Sequence, residues 1–507
     1  MRPTGRTLLG VVALPLVVAL PLVVACGNKK EPAPAPAPEL PATPEEPAQV
    51  TQPDFPDGTR SLELTRTVPV RLDPGDDGKR IGVVAIDTRV GWQRTAKAKG
   101  CSKVWVEMRP RGWVCSEFVK PSKLAPLGRE VPQLERGEVI SGIYGRVAGS
   151  AGASGAMHYR LEKPDDKKKP KPKDKKKGPV TSPSQLEDKE AAKEPRMVEA
   201  DPVVGTLTLR QYDEVEVGGK VYWKISPKEN DYILKSLVNL MKPSDFKGTR
   251  LGDDTGWKLP IAFVWPRNSW TQAWTYAKPN AISYRQINAR LPVPILETFS
   301  NKDGKVTAYR IADPTPQAPL GEWIQAADVR VFAPVDPPPL LLPNERWIDV
   351  DLDNQILVAF EGTTPVYATM VSSGAKDTPT QTGMYRIWLK NSEADMKNLK
   401  AEDPYSVATV PWTEFFYSED DLALHTAYWH DAFGKPRSHG CVNLAPRDAR
   451  WLYYWSDPQI APGWTSSSGV VEAPGSVVRV RSAADPSPQW RGYARKVAEA
   501  RQGRNAE

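Results

Sequence analysis

Three of the four histidines and one of the four cysteines in 507 residues fall between positions 425 and 441. They lie in His425-Thr426-Ala427-Tyr428-Trp429-His430 and Ser438-His439-Gly440-Cys441, with Val442-Asn443 following. A thiol, with an ordinary pKa of ~8.5, becomes a nucleophile for acyl transfer when an imidazole within hydrogen-bond reach helps it ionise. The glycine before the cysteine lets the backbone turn tightly, so that amides near Gly440 and Cys441 would hold a developing oxyanion, a term worth ~3 to 4 kcal/mol per donor. Zinc ligation is the rival use of these residues. The stretch lacks the paired Cys-x-x-Cys or His-x-x-x-His unit that a zinc site favours, and no metal or cofactor is expected.

Such groups meet only on a rigid scaffold. Trp347 to Leu352 alternates apolar and polar residues, Asp353-Asn354 offers a turn, Gln355 to Phe360 pairs back, and Val366 to Val371 gives a further strand. One helix is signalled, Pro446 to Trp455, with a proline near its start and apolar residues at roughly helical spacing. The stretch after Val480 is polar and reads as a loose tail.

A histidine followed sixteen residues later by the cysteine of Ser-His-Gly-Cys-hydrophobic-Asn resembles the signature of the L,D-transpeptidase (YkuD-like) catalytic domain. Thr378-Pro379-Thr380, ahead of Gly383-Met384-Tyr385-Arg386-Ile387, resembles that family's upstream element, with extra residues around Gln381. The resemblance covers residues 346–480. It implies Cys441 as nucleophile, His425 as general base on a neighbouring strand, and His439 and Gly440 in the oxyanion loop. It also implies Ser438 and Asn443 fixing that loop at the substrate, with His430 and Tyr428 beside them. The substrate implied is the stem peptide of peptidoglycan. Attack on the carbonyl of its third residue, a diamino acid, expels the terminal D-alanine and leaves a thioester. A stem amine would resolve it into a crosslink, a protein lysine into a protein attachment, and water into carboxypeptidase or crosslink-hydrolase activity. The non-catalytic alternative is an envelope lipoprotein that only binds peptidoglycan.

The rest of the chain reads as mainly β and multidomain, a series of small modules ahead of the β-rich catalytic domain with its short helix after the cysteine. Residues 1–26 carry Arg2 and Arg6, a proline-broken apolar run and Val23-Val24-Ala25-Cys26, which resembles a lipobox with Cys26 as the lipidated residue. With Gly27 next, the expected place is the outer membrane, facing the periplasm. Residues 27–61 form a Pro/Ala/Glu tether, some 30 residues that at ~3 Å each reach up to ~90 Å. Short strands over 62–125, ending in Gly112-Trp113-Val114-Cys115, resemble SH3-like domains. A β module over 135–250 is interrupted by a disordered Lys/Pro-rich segment, 163–198, and a further β module, SH3-like in its Gly321-Glu322-Trp323-Ile324 step, occupies 251–335. Residues 481–507 are the tail. The formal charge of +7 is almost all in the Lys/Pro-rich segment, where nine lysines between Lys163 and Lys177 face Asp165, Asp166 and Asp174. The globular parts are therefore nearly neutral overall, and no nucleic-acid partner is expected.

Cys101 and Cys115 fall in one short module of an exported chain, where a disulfide between them would persist. Its loop of about fifteen residues makes it worth ~3 kcal/mol. Alkylation of the mature, denatured, unreduced chain should therefore label one cysteine, Cys441. Two labels would show Cys26 unmodified, and three would show no disulfide.

Overall fold

The computed structural model describes residues 55–147, 156–162, 195–203, 206–312, 321–398 and 405–506. The lipobox at Cys26, the tether through residue 54 and the Lys/Pro-rich run from 163 to 194 lie outside these residues. Among the described residues strand accounts for 47% and helix for 8%, so the architecture is mainly β, as the short alternating segments require.

The C-terminal domain opens with a hairpin, Arg346–Asp351 against Ile356–Glu361. Polar turn chemistry closes it: the Asp351 carboxylate accepts the amides of Asp353 at 3.1 Å and Asn354 at 3.0 Å, and Gln355 takes the left-handed φ of 53°. Thr364–Met370 adds on one side, and on the other Val477–Arg481 runs parallel to the first strand with Gly383–Arg386 beyond it. Trp347 stacks on Phe360 at 4.2 Å in the core.

A second sheet carries the chemistry. A long hairpin, Leu389–Asn398 with Tyr405–Tyr417, pairs with Leu422–Thr426, which in turn runs parallel to Val442–Leu444. The helix Pro446–Trp455 follows at once, with its proline in the first turn and an extended residue, Ala445, at its N-cap. It buries Ala449, Leu452 and Tyr453. Asp448 in its first turn accepts the Tyr367 hydroxyl at 2.6 Å, the Gly248 amide at 2.8 Å and the Thr369 hydroxyl, which fastens the helix to the first sheet.

The segments ahead of this domain are joined to it by backbone pairing. Gly82 and Val83 of the strand Arg80–Val84 pair with Ser467 and Ser466 of Trp464–Ser468, which itself edges the long hairpin. On the hairpin's other side Thr206–Gln211 runs parallel to Tyr405–Tyr417, followed outward by Ile143–Val147 and Val238–Leu240. Both hairpin edges are thereby covered, and an edge strand left open exposes unpaired amides and carbonyls. An apolar cluster runs from Val70 and Ile81 through Trp464 and Trp412 to Leu424 and Val442. Within the outer segments, Gly218-Gly219 makes a two-residue hairpin turn with φ of 59° and 72° between Val217 and Lys220. The Cys101–Cys115 disulfide, with Cα atoms 5.6 Å apart, ties the loop before Trp105–Met108 to the strand Trp113–Cys115.

The stretch after Val480 is not a loose tail. Residues Gly492–Ala506 form a helix whose Ala494, Val497 and Ala498 are buried, a three-to-four-residue spacing that suits one helical face. Its Arg501 donates to the Glu345 carboxylate at 2.8 Å and 3.0 Å, and Arg491 donates its amide to the Met384 carbonyl at 2.9 Å. Small apolar residues among many charges hid this face from a reading based on overall polarity.

A fragment restricted to residues 345–480 loses Thr206–Gln211 from one edge of the long hairpin and Arg80–Val84 from the outer edge of Trp464–Ser468. It should be less soluble and melt several degrees below the 55–507 chain in a thermal scan, and equal melting temperatures would show that the added strands contribute no stability.

Candidate active site

The parallel pairing of Leu422–Thr426 with Val442–Leu444 sets Leu424 opposite Val442 and His425 opposite Asn443. Side chains two apart on a strand share a face, so His425 and Asn443 point the same way as Cys441, which stands just ahead of its strand. These three line one pocket of about 320 Å³ together with Ser438, His439, Arg437 and Trp429.

His425 is buried, and its Nδ1–H donates to the Thr426 carbonyl at 2.9 Å, which leaves Nε2 as the basic nitrogen. Burial pulls its pKa down to about 4, against a smaller upward pull from that carbonyl. Burial likewise pushes the Cys441 thiol up to about 11, although the backbone amide of Ala423 acts in the opposite sense. The thiol donates to the Asp421 carbonyl at 3.7 Å. These shifts favour a neutral thiol beside a neutral imidazole, not the ionised thiol that the residue types alone suggested.

The loop before the cysteine is held from several directions. Gly440 takes φ of 119°, a conformation that other residues rarely adopt. The Ser438 hydroxyl donates to the Cys441 carbonyl and accepts the Gly440 amide at 3.1 Å. The Gly440 amide, expected as an oxyanion donor, is thus already used within the loop. The hydroxyls of Thr378 and Thr380 donate to the carbonyls of Ser438 at 2.9 Å and Gly440 at 2.7 Å. These two threonines belong to a motif legible in the sequence, but their role in clamping the loop was not.

His430 does not line the pocket. Its Nδ1 accepts the Ala432 amide at 3.2 Å, so its proton sits on Nε2, 3.0 Å from the Asn443 side-chain amide. With the Asn443 Oδ1 turned toward it, that buried oxygen, otherwise without a partner, is satisfied. Burial first, then the Arg437 charge, holds His430 down at about 3, so it stays neutral and orients Asn443. His439 is exposed at the rim. Tyr428, expected on the substrate side, is fully buried: its hydroxyl donates to the Ala408 carbonyl at 2.6 Å and its ring packs on Tyr144 at 4.1 Å. It belongs to the joint between the hairpin and the segment at 143–147. Trp429, half-buried, lies over His425 at 5.8 Å. Both ring nitrogens of His430 and the Nδ1 of His425 are taken by protein partners, an arrangement that argues against shared zinc ligation.

The remaining wall comes from positions that the sequence gave no reason to single out: Arg146, Thr208, Met396 and Val407. Arg146 and Thr208 are more than 200 residues upstream of the cysteine, and no local signal could have found them.

Residues 345–480 match the family model for the YkuD L,D-transpeptidase catalytic domain. The chain is also similar to YciB of Bacillus subtilis (strain 168), whose name assigns it provisionally to the L,D-transpeptidases, at 29% identity over 116 residues. That match covers 21% of this chain and 59% of YciB, so the chain spans little over half the length of this curated relative. Among solved structures it is similar to an L,D-transpeptidase from Mycobacterium smegmatis (16% identity, 48% of this chain and 89% of that one, TM-score 0.22). Another is an L,D-transpeptidase from Enterococcus faecium (17% identity, 42% and 95%, TM-score 0.23). TM-scores at this level carry no argument about the site.

If the resting pair is neutral, alkylation of Cys441 by iodoacetamide without substrate should be slow near neutral pH and rise with a midpoint near 11. With His425 as the general base that the resemblance implies, acyl transfer should hold its rate down to an acid limb near 4. An alkylation rate already at its plateau in neutral buffer would show a resting thiolate instead.

Proposed function

We propose that this chain, with a YkuD-type L,D-transpeptidase catalytic domain over residues 345–480, acts on peptidoglycan stem peptides through a cysteine thioester. The observation that carries the reading is the shared face and pocket of Cys441 and His425, with the Nε2 of a neutral imidazole left to take a proton. In the first step Cys441 Sγ attacks the carbonyl of the stem's third residue while its proton passes to His425. The amide bond then breaks, the proton goes to the leaving amine, and the terminal D-alanine departs. An acceptor amine then attacks the thioester, gives up a proton to His425 and restores the thiol. A stem amine as acceptor gives a crosslink and is the reading we favour; a protein lysine or water in the same step gives attachment or hydrolysis.

Around this core we keep the reading of residues 1–26 as a lipoprotein signal with Cys26 lipidated at the outer membrane, facing the periplasm. The tether and SH3-like modules then carry the domain toward the cell wall. This part rests on sequence alone.

Purified 55–507 protein incubated with muropeptides should release D-alanine and form crosslinked products resolved by mass. Cys441→Ala and Cys441→Ser should lower the rate more than ~1,000-fold with unchanged melting, and His425→Ala by ~100- to 10,000-fold. A carbapenem should add its mass to Cys441 of the wild type and to neither cysteine variant. Full turnover by Cys441→Ala would end the cysteine mechanism. Stem-peptide binding with no release of D-alanine would instead favour the non-catalytic lipoprotein.

A further inference from the structure

One row of residues crosses four strands and forms a wall of the pocket. Arg146 is in register with Thr208, Thr208 with Val407, and Val407 with Met396. Residues in register on neighbouring strands present their side chains to the same face, and all four line the pocket that holds Cys441 and His425. The first two lie outside the segment matched by the family and come from strands that the 135–250 module lends to the catalytic sheet.

The polar half of this row is unsatisfied. Thr208 is 1% exposed and its Oγ1 has no hydrogen-bond partner among the described residues. The Arg146 Nε is buried beside it in the same condition. Buried polar groups without partners cost ~1 to 3 kcal/mol each, more when charged, so two side by side facing a cavity point to a partner that arrives from outside. The charge of the lining states its kind: Arg146 and Arg437 are there, and no carboxylate lines the pocket among the described residues. A guanidinium with a hydroxyl next to it suits a planar carboxylate, which can accept from both.

We infer that Arg146 and Thr208 form a carboxylate-binding subsite that takes a free carboxylate of the peptide donor and sets its register on Cys441. The peptide nature of this ligand rests on the function proposed above. The carboxylate is either the donor's C-terminal one or one on a side chain, and the chemistry of recognition is the same for both.

The test is protection of Cys441 from slow iodoacetamide alkylation, which requires binding but no turnover. The probes are a stem tetrapeptide, its C-terminal amide, its side-chain-amidated form and inorganic phosphate. The proteins are wild-type 55–507, Arg146→Gln, Arg146→Lys and Thr208→Val. The free tetrapeptide should protect the wild type. One of the two amidated forms should need about 10- to 100-fold more for half-protection, and which one identifies the carboxylate. Arg146→Gln should lose the same factor for the free peptide and no longer distinguish it from that amide, with Arg146→Lys and Thr208→Val falling between. In turnover, Arg146→Gln should raise KM by that factor with kcat changed less than about threefold. Four outcomes would overturn the inference: no protection of the wild type, equal protection by all three peptides, protection by phosphate equal to that by the peptide, or an Arg146→Gln loss as large for the amides as for the free peptide. Protection that follows this pattern without any release of D-alanine would leave the subsite standing and remove the transpeptidase reading.

Discussion

The site depends on one parallel strand pair. Leu422–Thr426 and Val442–Leu444 lie side by side in the same direction, and only that register puts the imidazole of His425 and the sulfur of Cys441 over one face. A parallel pair cannot be closed by a tight turn and needs a connection of a dozen or more residues. Here the connection holds His430, Arg437, Ser438 and His439, so the crossover that the topology demands also supplies the rim of the pocket and the loop before Cys441. Its far end is pinned by backbone pairing of Ser372 with Asn443 and Gly374 with Ser438, and by the two threonine hydroxyls. A shift of one residue in the pairing would turn His425 away from the sulfur and toward the opposite face.

Burial then decides the charge states. A buried imidazole beside a carbonyl stays neutral, and a thiol in a low-dielectric pocket stays protonated, because each charged form would lose its hydration without a compensating partner. In the mechanism proposed above, the proton leaves the sulfur only as the substrate carbonyl is attacked. The same low dielectric strengthens the interaction of any bound anion with Arg146 and Arg437 at the pocket wall.

The segments ahead of the catalytic domain are structural parts of it. They cover one edge of the long hairpin, extend the sheet beyond Trp464–Ser468 on the other, and supply half of the wall row. The hairpin needs that support where it bends: Thr409 and Trp412 sit at φ of 52° and 54° inside a strand, a strained conformation for such side chains. The Tyr144 hydroxyl donates to the Thr409 carbonyl at 3.1 Å, Tyr212 reaches its hydroxyl at 2.8 Å, and Tyr428 holds the Ala408 carbonyl. Two of these three tyrosines come from the middle segment, which ties the pocket wall to the bend.

What the sequence determined by itself was local. The clustering of His425, Ser438, Gly440 and Cys441 marked the candidate site, alternation over 347–360 named the opening hairpin, Gly218-Gly219 named a turn, and the proline-led run 446–455 named the helix. Each rests on spacing within a few residues, which chain geometry translates directly into direction. Tertiary structure alone decided that Arg146 and Thr208 face the thiol, that Tyr428 is core and not cleft, that the Gly440 amide is spent inside its loop, and that the resting pair is neutral. Those outcomes depend on which distant strands share hydrogen bonds, as Thr208 does with Val407, and on how much water the resulting burial excludes. No short-range pattern encodes either, because pairing and desolvation are properties of the assembled sheet.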